Sequence, residues 1–338
     1  MVELRTANGD RELDPMIRTL IHHATLAPSG HNTQPWIFSA DRGTVRIYPD
    51  FSRRLPIVDP DDHALYISLG CALENLVIAA AHHGLAAAVD YFPEDEGEAC
   101  LRVNLTPNGV GSEEALFRAI PVRQSNRRTY DGKRIPDDAV DKLLAASRHD
   151  AVTVLAFRTN QPEVEPIIDF VKQGNVAQFR DAAFVNELVT WIRFSKQEAR
   201  HRQDGLTAAA LGFPSIPRWL GTLIMTRLVK PDSEARKQER AIRSSPLLLL
   251  FIARRNDKRH WVDIGRSFER VVLTAASLDI AHAHVNMPCE VEQIRRKLAR
   301  HLGLPAEEQP LLLIRVGFAE RLPSAPRRPV EEVMKVVP

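Results

Sequence analysis

Hydrophobic positions along this chain follow two periods, and their order repeats. Apolar residues at helical spacing over 13–24 predict a helix, and a similar pattern returns over 135–146, about 122 positions later. Two longer stretches, 64–83 and 263–278, are apolar around most of their circumference, which predicts helices buried on every side. Shorter runs predict strands over 44–48, 88–92 and 101–105, and again over 152–157, 247–253, 282–286 and 311–318. Helices alternating with strands predict sheets covered by helices.

Self-comparison makes the repeat explicit. Leu69-Gly-Cys-Ala-Leu-Glu-Asn-Leu-Val-Ile-Ala-Ala-Ala81 aligns without gaps on Ile264-Gly-Arg-Ser-Phe-Glu-Arg-Val-Val-Leu-Thr-Ala-Ala276, 195 positions later, sharing the Gly, the Glu, a Val and the Ala pair. At the same offset Pro93 falls on Pro288, each close to a strand-like segment. The shift from 122 to 195 implies extra residues in the second unit, within about 160–243. That span carries amphipathic patterns and the loop Gly212-Phe-Pro-Ser-Ile-Pro-Arg-Trp219, whose prolines interrupt any helix. It is too long for one structureless loop, so a helical, lid-like insertion is expected. The expected organisation is a first unit over 1–110 and a second over 111–338, sharing a core through their long apolar helices as a dimer written into one chain.

Composition narrows the function classes. The 338 residues are 44% hydrophobic and 26% charged, which fits a water-soluble globular protein, here expected in the cytoplasm. A formal charge of +2 and arginines interleaved with acids disfavour nucleic acid as a partner. No apolar run suits a signal peptide or a membrane span by the sequence pattern. Cys71, Cys100 and Cys289 are odd in number and scattered, which fits free thiols. The doublets His22-His23 and His82-His83 lack a matching carboxylate spacing, so no metal is expected. Neither a GxGxxG nor a GxxxxGK[ST] stretch occurs.

Three segments carry candidate chemistry. Ala27-Pro-Ser-Gly-His-Asn-Thr-Gln-Pro-Trp36 follows the first helix; Pro28 stops the helix, Ser29 and Gly30 open a turn, and Asn32 and Gln34 offer amides. By themselves these residues suit a capped turn anchored by Trp36 as well as the wall of a planar, polar-edged ligand. In Arg123-Gln-Ser-Asn-Arg-Arg128, an extended backbone aims Arg123, Ser125 and Arg127 to one side, as a phosphate cradle or as a solvated basic edge. Arg327 and Arg328 sit between prolines in a tail stiff enough to lay a guanidinium over an anion. The place before residue 13 that corresponds to the arginine array reads Asn8-Gly-Asp-Arg-Glu12. After the second helix, Ser147-Arg-His-Asp-Ala151 has no counterpart of Asn32 or Gln34.

The Pro28-Ser29-x-x-Asn32-x-Gln34-Pro35-Trp36 loop and the Arg123-x-Ser125-x-Arg127 array resemble the two signature elements of the flavin-dependent nitroreductase superfamily. Ordinary members carry both in one short chain and dimerise; here each unit keeps one, which resembles the fused, twin-domain Acg-like group. The resemblance implies an α+β fold, two nitroreductase-like three-layer α/β/α copies fused as an internal pseudo-dimer, and one FMN between them. It implies that Arg123, Ser125 and Arg127 bind the phosphate with Arg327 or Arg328, and that Pro28, Ser29, Asn32 and Gln34 approach the flavin. Met287, Pro288, Cys289 and Glu290 fall where the family's backbone N–H reaches the flavin N5. An oxidoreductase whose chemistry resides in the flavin follows, with a small-molecule donor or acceptor and a monomer or homodimer as the assembly. The alternative is a flavin store in which Phe213, Trp219 and their prolines close an apolar lid over FMN.

Overall fold

The computed structural model describes residues 13–94, 101–107, 113–147 and 149–335. The boundary expected near 110, the Asn8 to Glu12 stretch and Cys100 lie outside them. Helix α1 (Pro15–Thr25) begins with a proline at its first position and Asp14 as cap, the Asp14 Oδ1 accepting from Met16 N at 2.7 Å. Then come β1 (Trp36–Asp41), β2 (Thr44–Pro49), α2 (His63–His82), β3 (Leu85–Tyr91), β4 (Leu101–Pro107) and α3 (Glu114–Ala119). The second half runs α4 (Asp137–Ala146), β5 (Val152–Arg158), then α5 (Glu165–Arg180), α6 (Ala182–Trp191), β6 (Ile192–Arg193), α7 (Lys196–Arg202), β7 (Leu206–Thr207), α8 (Ala208–Leu211), α9 (Arg218–Leu223) and α10 (Pro231–Arg243). It closes with β8 (Leu247–Ala253), α11 (Lys258–Ser277), β9 (Ala281–His284), α12 (Met287–Glu290), α13 (Glu292–His301), β10 (Gln309–Gly317) and α14 (Val330–Val333).

Two four-stranded antiparallel sheets result, β1-β2-β4-β3 and β5-β8-β10-β9, with the same connection order. In the first, β1 and β2 are joined by Arg42-Gly43, both at positive φ (46° and 82°), the backbone that a two-residue hairpin requires. In the second, the equivalent pair β5 and β8 keeps its antiparallel register while residues 159–246 run out and return as α5 to α10. Strand β1 was not among the strands anticipated from alternation, and β9 is shorter than expected because the chain turns into α12 after His284.

Strand β8 explains its own uninterrupted apolar run. Leu247, Leu249, Phe251 and Ala253 join the core with α2, α4 and α11, while Leu248, Leu250 and Ile252 pack with Ile167, Ile168, Val171 and Ile242 of α5 and α10. The second sheet therefore has helices on both faces and is three-layered. The first sheet departs from the expected α/β/α pattern: Trp36, Phe38, Val45, Ile47, Leu101 and Val103 face α1 and α2, and its other face carries polar pairs such as Arg102 with Asp90 and Thr44 with Asn104.

The helices α2 and α11 pack against each other at the centre, and each is 20 residues long, in register 195 positions apart. They cross where neither has a side chain. A Cβ on Gly70 would lie 2.1 Å from the Val262 carbonyl oxygen, and one on Gly265 would lie 2.0 Å from that of Ile67. Ile67 and Val262 are themselves 195 positions apart, so the contact is reciprocal, as across a two-fold axis. By length and composition α2 would suffice to cross a membrane, but 83% of its apolar window is buried inside the protein. Cys71 and Cys289 are free, buried thiols.

Candidate functional site

Residues from both halves meet at one cavity of about 100 Å³. Its first wall is the loop after α1. His31, Asn32 and Gln34 all adopt left-handed backbone (φ 48°, 56° and 54°), a conformation that costs L residues energy and persists only where surroundings impose it. The surroundings do so through side chains. Ser29 Oγ accepts from Gln34 N at 2.9 Å, and Asn32 Nδ2 donates to the carbonyls of Gly205 and Pro326, each at 3.1 Å. Gln34 Nε2 donates to Gln203 O at 2.9 Å while its Oε1 accepts from Arg328 N at 2.8 Å. Buried Trp36 anchors the exit.

The opposite wall is the arginine segment. It adds to the free edge of β9, with Ser125 bridging His282 in parallel and Asn126 N donating to His282 O at 2.7 Å. Strand-like alternation then aims Arg123, Ser125 and Arg127 into the cavity, while Asn126 turns away to the carbonyl of Glu320 and Gln124, at the cavity's edge, donates to that of Leu322. Arg315 of β10 fixes this backbone from behind. Its guanidinium lies 3.9 Å from the Tyr130 ring centre and donates to the carbonyls of Arg128 (2.7 Å) and Asn126 (3.3 Å), on either side of Arg127.

Three guanidiniums thus line the cavity, at Arg123, Arg127 and Arg327. Arg123 and Arg327 also hold the end of α1: Arg123 donates to Leu26 O at 2.9 Å, and Arg327 to the carbonyls of Leu26 and Ala27 at 3.2 Å. Those carbonyls are the negative end of the helix dipole, so the arginines satisfy backbone as well as facing the cavity. Arg127 is different. It opens onto the recess with its side chain reached by solvent, and among the described residues it makes no hydrogen bond or ion pair. Partial desolvation by the surrounding protein, and secondarily Arg315, lower its pKa from the ordinary arginine value. The nearby imidazoles are held neutral: burial and Arg127 depress His31 to about 4, and burial, Arg127 and Arg123 depress His284 to about 3. A cationic, donor-rich recess of this kind suits a phosphate.

Pro28, Ser29, Asn32, Arg123, Ser125, Arg127 and Arg327 line one cavity, as the sequence suggests; six other candidates do not. Gln34 is fully buried and spends its amide binding the insertion and the tail. Half-buried Arg328 faces Glu332 and Arg53 instead. Met287, Pro288, Cys289 and Glu290 form α12, whose Met287 backbone presses on Gly174 of α5 and whose Glu290 accepts from Gln178 at 2.6 Å. Phe213 and Trp219 are exposed and do not cover the cavity; the insertion contributes Gly205, Leu206, Thr207 and Ala210 to its wall instead. Sequence reading missed those four, and also His284 and Arg315. Only Arg315 left a signal, as a cation inside an apolar strand.

The family model for nitroreductases matches residues 120–318. Over 330 residues the chain is 26% identical to Mycobacterium tuberculosis Rv3131, named provisionally as an NAD(P)H nitroreductase, covering 94% of this chain and 91% of that protein. It is 24% identical over 330 residues to Acg of the same organism, named in the same way, covering 95% and 96%. Among solved structures, the FMN-dependent nitroreductase NfnB of Mycobacterium smegmatis, in complex with NADPH, is 16% identical with a TM-score of 0.41, covering 67% of this chain and 99% of that one. With the family model spanning more than half of its length, the chain belongs to the nitroreductase family.

Proposed function

We propose that the chain is an FMN-dependent oxidoreductase of nitroreductase type, holding one FMN between its two halves. The observation that carries this reading is the convergence of Arg123, Arg127 and Arg327 on a single cavity opposite Pro28, Ser29 and Asn32, with Arg127 making no hydrogen bond or ion pair among the described residues. Membership in the nitroreductase family, and FMN in similar proteins such as NfnB, supply the identity of the anion's carrier. The residues present suit it: Arg127 and Ser125 would bind the phosphate, and the fixed loop around Asn32 would border the ring. Bound FMN supplies the electron transfer, while this chain binds, orients and shields it.

The repeated strand order and the reciprocal contact of Gly70 and Gly265 support an internal pseudo-dimer whose halves have diverged. The first half retains the loop and the second the arginine array, so one site remains. The Asn32 side chain ties the loop to Gly205 and Pro326 through neutral hydrogen bonds. Asn32→Ala is therefore expected to weaken FMN by about 1 kcal/mol, well under the loss from Arg127→Ala, as read by fluorescence titration.

The insertion's share of the cavity wall favours a second reading, in which the protein sequesters FMN rather than turning it over. Stopped-flow reduction of the FMN complex separates the two. Rapid reduction by NADH or NADPH followed by reoxidation with a nitroaromatic or quinone supports the oxidoreductase; reduction by dithionite alone supports storage and contradicts it.

A further inference from the structure

The crossing helices carry equivalent glutamates, Glu74 on α2 and Glu269 on α11, and the chain balances them by different means. Glu74 is neutralised within the helix pair: Arg266 Nε and Arg270 reach its two oxygens at 2.7 Å each. The positions on α2 equivalent to those two arginines are Cys71 and Asn75, which carry no positive charge. Glu269 therefore meets no cation from the helix pair and turns to the cavity wall. Its Oε1 lies 3.4 Å from Arg123 Nε, and Arg327 is its second counter-ion.

This arrangement is incomplete by design of the contacts around it. Glu269 is 0% exposed, yet neither of its carboxylate oxygens accepts a hydrogen bond in good geometry, and Arg123 Nε and Arg327 Nε also lack acceptors. Buried carboxylates ordinarily have two or more donors, and a pair left so loose is easily redistributed when a competing anion arrives. Both arginines that balance Glu269 also face the cavity. A phosphate there competes for the same guanidiniums and adds negative charge, leaving Glu269 with only the neutral Asn75 amide beside it.

We propose that Glu269 is a positioning residue of the anion site: it balances Arg123 and Arg327 until a phosphate group binds them, and then takes on a proton. The inference rests on the proposed FMN reading for the carrier of that phosphate. Burial already holds the Glu269 carboxyl at about 7, against the pull of Arg123, Arg327 and Asn75, with Glu74 pushing the same way as burial. From α2 it faces Glu74, Asn75 and Cys71, whose thiol is pushed well above its ordinary value; from the arginine segment it faces Arg123, and from the tail Arg327. His282 and His284 of β9 face Arg123 and are held neutral, His284 at about 3, so they do not titrate near neutrality.

The sign follows from linkage. A bound dianion raises the carboxyl further, so binding takes up a proton, and affinity falls as pH rises above about 7, by at most tenfold per pH unit for one proton. The phosphate monoester's own second ionisation lies near 6, so between pH 7 and 9 the ligand stays a dianion.

The test is calorimetric titration of flavin-free protein with FMN and with riboflavin, which lacks the phosphate, in buffers of different ionisation enthalpy over pH 7 to 9. The wild type is expected to take up protons with FMN and not with riboflavin. In Glu269→Gln the uptake between pH 7 and 8 disappears, and only the uptake near 9 remains, where burial and Arg123 hold the Arg327 guanidinium. Equal proton uptake in the wild type and the variant would overturn the proposal. If the variant does not fold, the wild type alone decides: FMN affinity that is flat from pH 7 to 9 overturns it, and a decline shared by riboflavin does too. Failure of FMN to bind at any pH would overturn the reading of the site as well, which is a distinct result.

Discussion

Arg127→Ala is expected to weaken FMN binding by about 2 to 3 kcal/mol, roughly 30- to 150-fold in Kd. The magnitude follows from what surrounds the side chain. Arg123 divides itself between Glu269 and the Leu26 carbonyl, and Arg327 between the carbonyls of Leu26, Ala27 and its own tail. Among the described residues Arg127 alone of the three has no hydrogen-bond acceptor, so its donors are undivided for a ligand. Removing it should also cost little stability, since among the described residues no hydrogen bond or ion pair is lost and the side chain is exposed, with Arg315 repelling it. Fluorescence titration with FMN alongside thermal unfolding checks both parts. Wild-type affinity in the variant would mean that the array does not hold the phosphate.

Gly265→Ala is expected to destabilise the protein by about 3 kcal/mol or more, with loss of soluble protein a fair readout alongside the unfolding temperature. The added methyl would lie 2.0 Å from the Ile67 carbonyl oxygen and 2.9 Å from Gly70 Cα. Those are backbone atoms in the middle of two 20-residue helices, so relief requires the helices to separate along the largest contact in the molecule. Gly70→Ala should behave alike, because the contact is reciprocal. An unfolding temperature unchanged in both variants would contradict the crossing and, with it, the proposed pseudo-two-fold arrangement.

The repeat was legible because both long helices must be buried and must cross closely, which constrains Gly70, Gly265 and their apolar neighbours alike. The arginine array was legible for a local reason too: alternation along an extended edge is a property of three residues. Strand β1 was harder to see, since Trp36 and Phe38 are followed by Ser39 and Asp41 and give little alternation. The loop's polar residues were visible, but their destinations were not. Gln34 closes on Gln203 and Arg328, and Asn32 on Gly205 and Pro326, contacts that depend on where the insertion and the tail return. The same holds for Met287 to Glu290, whose packing against α5 depends on where the insertion returns and is not readable from motif position. The lid expected at Phe213 and Trp219 could not be placed from the sequence for a related reason: aromatic residues between prolines say that a segment is irregular, not which surface it covers.

The central claim is one FMN per chain, held between unequal halves. Its most direct measurement is the flavin content of the purified protein after saturation with FMN and removal of excess, read from absorbance against protein concentration. One FMN per chain is the predicted result; two, or none, would contradict the account.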